Sequence, residues 1–286
     1  MEKIVISDIY FNIKDTLDCG QVFRYCEHEK GYLVYSADKC AYCYADNGNT
    51  VIECEPNEKD YFYNYFDLAN DYELIYTSAI KTKYAILKKS AELGRGVRIL
   101  NQNVEEALFS FVVSQNNNIP RIKSIIEKLC IELGERKEFN GKEYYTFPTA
   151  KVMSNERLEL YKSIGLGYRA EYVKNLAQKI ADGLDLEKLK KLSTAEIRKE
   201  LIKLHGVGEK VADCVTLFGY HRGDSFPVDT WIEKLYKEDF NGKLTDRKKI
   251  SEWLVTEFKE KSGYYQQYLF YYKRSLEKKG VITIKK

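Results

Sequence analysis

Leu204-His205-Gly206-Val207-Gly208-Glu209-Lys210-Val211-Ala212-Asp213-Cys214 joins two helical patterns through a Gly-x-Gly turn and sets a lysine just inside the second helix. The first helix is announced by Ser193-Thr194-Ala195-Glu196, a capping box in which each end residue can bond the other's backbone amide. Leu201 and Leu204 give that helix an apolar stripe. The two glycines allow positive φ and close backbone approach, and they leave amides without partners at the start of the next helix. Such amides favour an anion, typically a phosphate. Lys210 lies in the first turn, where the helix dipole opposes a second positive charge and favours the neutral, nucleophilic amine. The same spacing would serve a lysine that merely contacts phosphate or solvent.

Further along, Phe226-Pro227-Val228-Asp229-Thr230-Trp231 is an apolar segment that ends in an aspartate just before a helix expected from Thr230 to about Tyr236. Taken alone, Asp229 is a helix N-cap. Together, Gly-Val-Gly-x-Lys-Val-Ala-Asp-Cys and Pro-Val-Asp resemble the helix-hairpin-helix/Gly-Pro-Asp superfamily of DNA glycosylases, in particular its 8-oxoguanine DNA glycosylase/lyase branch. The resemblance implies that Lys210 attacks the sugar and that Asp229 stabilises the positive charge developing there. It also implies that His205, Gly206, Gly208 and Trp231 lie at the DNA phosphates. Better-known members of the family have histidine where this chain has Trp231, whose indole N–H can still donate. The family further implies a structural cation on the hairpin carbonyls at 204–208, and no cofactor or catalytic metal is required.

Other matches keep the family's order along the chain. Cys19-Gly20-Gln21-Val22-Phe23-Arg24 is similar to an element whose glycine carbonyl accepts the N7 hydrogen that 8-oxoguanine has and guanine lacks, which implies that role for Gly20. Without the other motifs Gly20 would only turn the chain. Ser114-Gln115-Asn116-Asn117-Asn118-Ile119-Pro120-Arg121 resembles the segment in which the first asparagine fills the gap left by an extruded base and the arginine reads the orphaned cytosine, here Asn116 and Arg121. Gly165-Leu166-Gly167-Tyr168-Arg169 is a second Gly-x-Gly turn opening a helix. By resemblance, Tyr168 wedges into the base stack and Arg169 contacts the opposite cytosine. In Gly263-Tyr264-Tyr265-Gln266-Gln267-Tyr268-Leu269-Phe270, Gln266 and Phe270 share a helix face. The family implies that the glutamine bonds the Watson–Crick edge of the lesion, that the phenylalanine stacks on it, and that Cys214 lines the same pocket.

Composition sets the outer limits. The 286 residues suit one large or two ordinary domains. A net charge of +3 excludes a general polycation, so any nucleic-acid surface must be a local concentration of Lys and Arg. Seven cysteines, with no signal-like or long apolar segment, point to reduced thiols in a cytosolic compartment, nucleoid-associated or nuclear according to the cell. Cys40 and Cys43 form a lone Cys-x-x-Cys that reads as strand positions rather than a zinc pair.

The expected fold is α+β. An antiparallel sheet with following helices occupies 1–98, its Asn47-Gly48 turn a strong hairpin signal, and a mostly helical glycosylase domain occupies 99–286. Within it, Asn103 reads as a cap with Glu106 as its capping-box partner, Pro120 opens a helix that Gly134 closes, and Gly263 separates the last two helices. The expected partner is duplex DNA containing an oxidised purine, bound by a monomer with no membrane. A monofunctional glycosylase for alkylated bases would not need Lys210. A non-catalytic helix-hairpin-helix module would need neither Lys210, Asp229 nor the Gln266/Phe270 pair.

Overall fold

The computed structural model describes residues 1–278. The chain starts with β1 (Glu2–Ile6), α1 (Ile13–Asp18) and the strands β2 (Tyr25–His28), β3 (Gly31–Ser36), β4 (Lys39–Asp46) and β5 (Asn49–Cys54). These strands form one antiparallel sheet in the order β1-β5-β4-β3-β2. Asn47 and Gly48 both take positive φ, 46° and 82°, as the tight turn joining β4 to β5 demands. Cys40 and Cys43 are buried positions of β4. The helices α2 (Lys59–Tyr65), α3 (Tyr72–Ile80) and α4 (Ala85–Leu93) follow.

The helical part begins with α5 (Val104–Ser114) and α6 (Ile119–Leu133). Asn103 caps α5 by accepting the Glu106 amide at 3.0 Å. The reciprocal half of the expected box does not form, because the Glu106 carboxylate is buried and pairs instead with Arg24 and the Ala37 amide. Asn118 caps α6, which places Pro120 at its second residue, inside the tolerated first turn. Gly134 ends α6 as expected, because a Cβ there would lie 2.1 Å from the Thr146 carbonyl oxygen. A second Asn-Gly turn at 140–141 joins β6 (Arg136–Phe139) to β7 (Lys142–Tyr145), a two-stranded sheet beyond the expected one.

The helices α7 (Ala150–Asn155), α8 (Leu158–Ser163), α9 (Arg169–Ala181), α10 (Leu186–Leu189), α11 (Thr194–Ile202) and α12 (Glu209–Phe218) then lead to α13 (Thr230–Asp239), α14 (Arg247–Phe258) and α15 (Ser262–Lys278). The Ser193/Glu196 capping box is present in both directions at the start of α11. The last break differs from the expectation. It falls at Lys259, with φ of 53°, and Gly263 lies inside α15. That glycine is required by packing, since a Cβ would lie 2.2 Å from Leu217 Cδ1 and the Gly263 amide donates to the Gly223 carbonyl.

Four apolar clusters hold the described residues together, of which a small one packs Phe139 of β6 against Leu33, Tyr35, Tyr42 and Tyr44 of the sheet, and three are larger. One packs α1 and α2 on the sheet and one joins α5, α6, α9, α11 and α12. The third unites Tyr72, Ile75 and Leu87 with Phe226, Ile232, Leu254, Tyr268 and Leu269, so α3 and α4 share a core with α13 to α15 across the expected boundary at 98/99. The Gln21 amide fastens the junction by donating to the Arg98 carbonyl at 2.7 Å and accepting from the Leu100 amide at 2.8 Å. Gln21 and Arg24 of the Gly-Gln-x-Phe-Arg element are both buried, Gln21 tying the position after Gly20 to Arg98 and Leu100 and Arg24 pairing with Glu106 of α5. Among the described residues no helix is long and apolar enough to cross a membrane.

Candidate active site and DNA interface

The hairpin between α11 and α12 uses its glycines differently from each other. Gly206 has φ of +86° and lies against Tyr172, whose Cγ would be 2.4 Å from an added Cβ. Gly208 is extended, not left-handed, and a Cβ there would meet nothing within 4 Å. Its small size leaves an open face, and no side chain caps the α12 amides that it precedes. Backbone amides left open in this way can donate to an anion. His205 is exposed, with its ring edge on Tyr172 at 4.9 Å and its Nδ1 3.2 Å from the Asn175 amide nitrogen.

Lys210 is half-buried, with Nζ over the Phe111 ring at 5.3 Å, and it exerts its charge on both Cys214 and Asp229. Cys214 is buried, and burial pushes its thiol up to about 11 despite the nearby ammonium, so it is a neutral packed thiol rather than a thiolate partner. Asp229 is the α13 cap, its Oδ1 accepting from the amides of Trp231 at 3.0 Å and Ile232 at 2.9 Å. Burial raises its carboxyl above the usual range, while these amides and the Lys210 ammonium pull it back. Both cap bonds use Oδ1, so capping and an electrostatic role toward a substrate are compatible in one side chain. Trp231 is half-buried in the first turn of α13.

α15 carries the candidate residues Gln266 and Phe270 to the Pro227–Asp229 segment and to Gly20. The Gln266 Nε2 reaches the Pro227 carbonyl at 3.4 Å, two residues before Asp229, while its buried Oε1 has no hydrogen-bond partner. Phe270, one turn on, lies against Gly20: its Cε1 would be 3.1 Å from a Cβ at that position, where φ is +89°. The Gln267 amide and the Arg274 guanidinium bond the Cys19 and Asp18 carbonyls, which clamps the Gly20 turn onto α15.

A second group gathers beside the hairpin. Asn116 adopts φ of 46° and its Nδ2 meets the Tyr168 hydroxyl at 3.2 Å, with Tyr168 50% exposed. Exposed Arg121 reaches the Gly165 carbonyl at 3.3 Å. Arg169, expected at the opposite base, is only 4% exposed and binds the carbonyls of Gln115, Asn116 and Leu166 with its guanidinium, which stacks on Tyr168. The second Gly-x-Gly turn is not a copy of the first: Gly165 and Gly167 both have positive φ, and α9 starts at Arg169, two residues beyond the second glycine.

Two residues beside the site were given no role by the motifs. The Gln115 side chain donates to the Gly206 carbonyl at 2.9 Å. Arg198 pairs with Asp213 and with Glu209, at 2.8 Å for the latter, and so ties α11 to the first turns of α12. For a hairpin cation the donors are backbone carbonyls, of which that of Leu204 already accepts the Val207 amide and that of Gly206 accepts Gln115. Each keeps a second lone pair, and neutral oxygens of this kind suit a weakly held hard cation. Among the described residues no group of three His, Cys, Asp or Glu side chains could hold a metal.

Comparison with known proteins gives the family and the fold. Residues 3–108 match the family described as 8-oxoguanine DNA glycosylase, N-terminal domain, and residues 109–260 match the HhH-GPD superfamily base excision DNA repair protein. The fold is similar to that of MBOgg1 in complex with a low affinity DNA ligand, with a TM-score of 0.91, 37% identity and 96% of each chain covered. It is similar to the Clostridium acetobutylicum 8-oxoguanine glycosylase/lyase in complex with duplex DNA containing cytosine opposite 8-oxoguanine, with a TM-score of 0.89 and 37% identity over 94% of this chain and 93% of that one. A probable N-glycosylase/DNA lyase of Methanothermobacter thermautotrophicus is 30% identical over 229 residues, 73% of this chain and 72% of that protein.

Proposed function

The chain belongs to the 8-oxoguanine DNA glycosylase branch of the helix-hairpin-helix base excision repair superfamily, and on that premise we propose that it excises 8-oxoguanine, preferentially opposite cytosine, through a Schiff base on Lys210. It is a DNA glycosylase with lyase activity at abasic sites. One observation carries the finer reading: the buried Gln266 Oε1 lacks a partner on a side chain whose Nε2 reaches the Pro227 carbonyl, one helical turn from Phe270, which lies against Gly20. An unpaired buried acceptor is costly, and the pairing edge of a guanine-type base, which donates N–H groups, satisfies it.

Extrusion of the base costs a few kcal/mol, offset by these pocket contacts and by Asn116 and Tyr168 at the gap. The Lys210 amine then forms a bond to C1′ as the bond from C1′ to the base breaks, the base leaving with the electron pair and gaining a proton. The Asp229 carboxylate stabilises the positive charge that builds on the sugar. Opening of the sugar ring gives a Schiff base, which acidifies the 2′ hydrogen, and loss of that proton expels the 3′ phosphate. The open face at Gly208, the uncapped α12 amides, His205 and Trp231 suit the flanking phosphates. A cation at 204–208 would stiffen the hairpin and take no part in bond breaking.

The test is single-turnover incubation with duplexes carrying 8-oxoguanine, 3-methyladenine or no lesion. The expected result is base release and strand cleavage with 8-oxoguanine, loss of both in Lys210→Gln, and retained lesion binding by that variant. Excision of the alkylated base in place of 8-oxoguanine would overturn the reading.

A further inference from the structure

The loop between α5 and α6 is fastened on two sides. On one, Gln115 Nε2 donates to the Gly206 carbonyl at 2.9 Å and to the Val112 carbonyl at 3.1 Å. On the other, the Gln115 carbonyl accepts Arg169 Nε at 2.7 Å and the Asn116 carbonyl accepts Arg169 Nη2 at 3.0 Å. Asn116 is thereby held in its left-handed conformation against the Tyr168 hydroxyl. Gly206 cannot adjust freely, because Tyr172 blocks its open side and its φ is +86°. Gln115 is thus a direct bond between the wedge residues and the hairpin whose next helix begins with Glu209 and Lys210.

Resting on the function proposed above, we propose that Gln115 is a positioning residue that transmits the identity of the base opposite the lesion to the hairpin bearing Lys210. Coupling between two sites can be carried by a contiguous chain of hydrogen bonds. Here it runs from the orphaned base to Asn116 and Tyr168, through the Gln115–Asn116 backbone held by Arg169, then through the Gln115 amide to the Gly206 carbonyl. The bond has a direction, since Gln115 donates and Gly206 accepts. Glutamate at this position matches glutamine in size but puts an acceptor against an acceptor.

The experiment compares the full chain with Gln115→Ala and Gln115→Glu, using single-turnover excision of 8-oxoguanine opposite cytosine and opposite adenine. Borohydride trapping on a preformed abasic site and urea unfolding midpoints are measured alongside. Both variants should unfold near the parent's midpoint, because Gln115 is only partly buried, and both should trap on the abasic site. The cytosine-over-adenine ratio should fall by about fivefold, as expected for loss of one hydrogen bond, with the loss opposite cytosine. If Gln115→Ala does not fold, the same-sized Glu variant carries the test. Equal slowing opposite both bases, or a preference preserved in Gln115→Glu, would overturn the proposal. A parent protein that forms no adduct or shows no preference would instead overturn the function on which it rests.

Discussion

Asp229 both caps α13 and lies within electrostatic reach of Lys210, and the two roles can be separated because asparagine caps a helix nearly as well. Asp229→Asn should keep the parent's unfolding midpoint yet lower single-turnover excision by about 10²-fold or more, the scale of losing one charge-stabilising group. Unchanged excision would leave Asp229 with the cap alone. The two arginines of the opposite-base group separate in the same way. Arg121 is exposed, so Arg121→Ala should lower the cytosine preference with little effect on stability. Arg169 is buried among three carbonyls, so Arg169→Ala should lower both the preference and the unfolding midpoint. Equal stability of the two variants would contradict this assignment. Lys210, Asp229, Gln266 and Phe270 were legible as candidates because each sits in a short run that resembles a family motif. The burial of Arg169 and the bond from Gln115 to Gly206 were not, because both depend on contacts between segments 54 and 91 residues apart.

α12 carries Lys210 in its first turn and is anchored one turn later by buried Asp213, paired with Arg198 of α11. Burial pushes the Asp213 carboxyl up to about 7 against the pull of Arg198. With a folded value above the unfolded one, the stability tied to its protonated form is fully present below about pH 4. It is lost as pH rises through about 7. Removing Arg198 strands the carboxylate, which costs about 3 kcal/mol where the group is ionised. Arg198→Ala should therefore destabilise the protein more at pH 8 than at pH 6, as read by urea unfolding at the two values. An effect independent of pH would mean that Asp213 is not the group involved. Helix ends show the same limits of reading as single residues. Local signals were correct at Ser193 and Asn103, whereas the Glu106 carboxylate was drawn away by Arg24 and Gly263 by the closeness of Leu217. A glycine in a sequence signals a turn and a tight contact equally well, and only the partner surface decides between them.

α15 holds the whole molecule to its function. Its Gln267, Tyr271 and Arg274 bond Cys19, Asp15 and Asp18 of the N-terminal part, its apolar face packs with α3 and α4, and its Gln266 reaches the Pro227–Asp229 segment. The sheet-then-helices order was legible from the change of hydrophobic period, but the shared core that crosses 98/99 was not, since periodicity reports faces and not their partners. A fragment of residues 99–286 would expose that core, and its thermal unfolding should lack the cooperative transition of the full chain. A sharp transition would show that the helical part stands alone. The central claim is that Lys210 is the amine that bonds to DNA. It is tested most directly by borohydride trapping of the full chain on an 8-oxoguanine:cytosine duplex, followed by digestion and mass analysis of the DNA-bound peptide. The adduct should map to Lys210 and vanish in Lys210→Gln; an adduct on any other amine, or excision with no adduct, would contradict it.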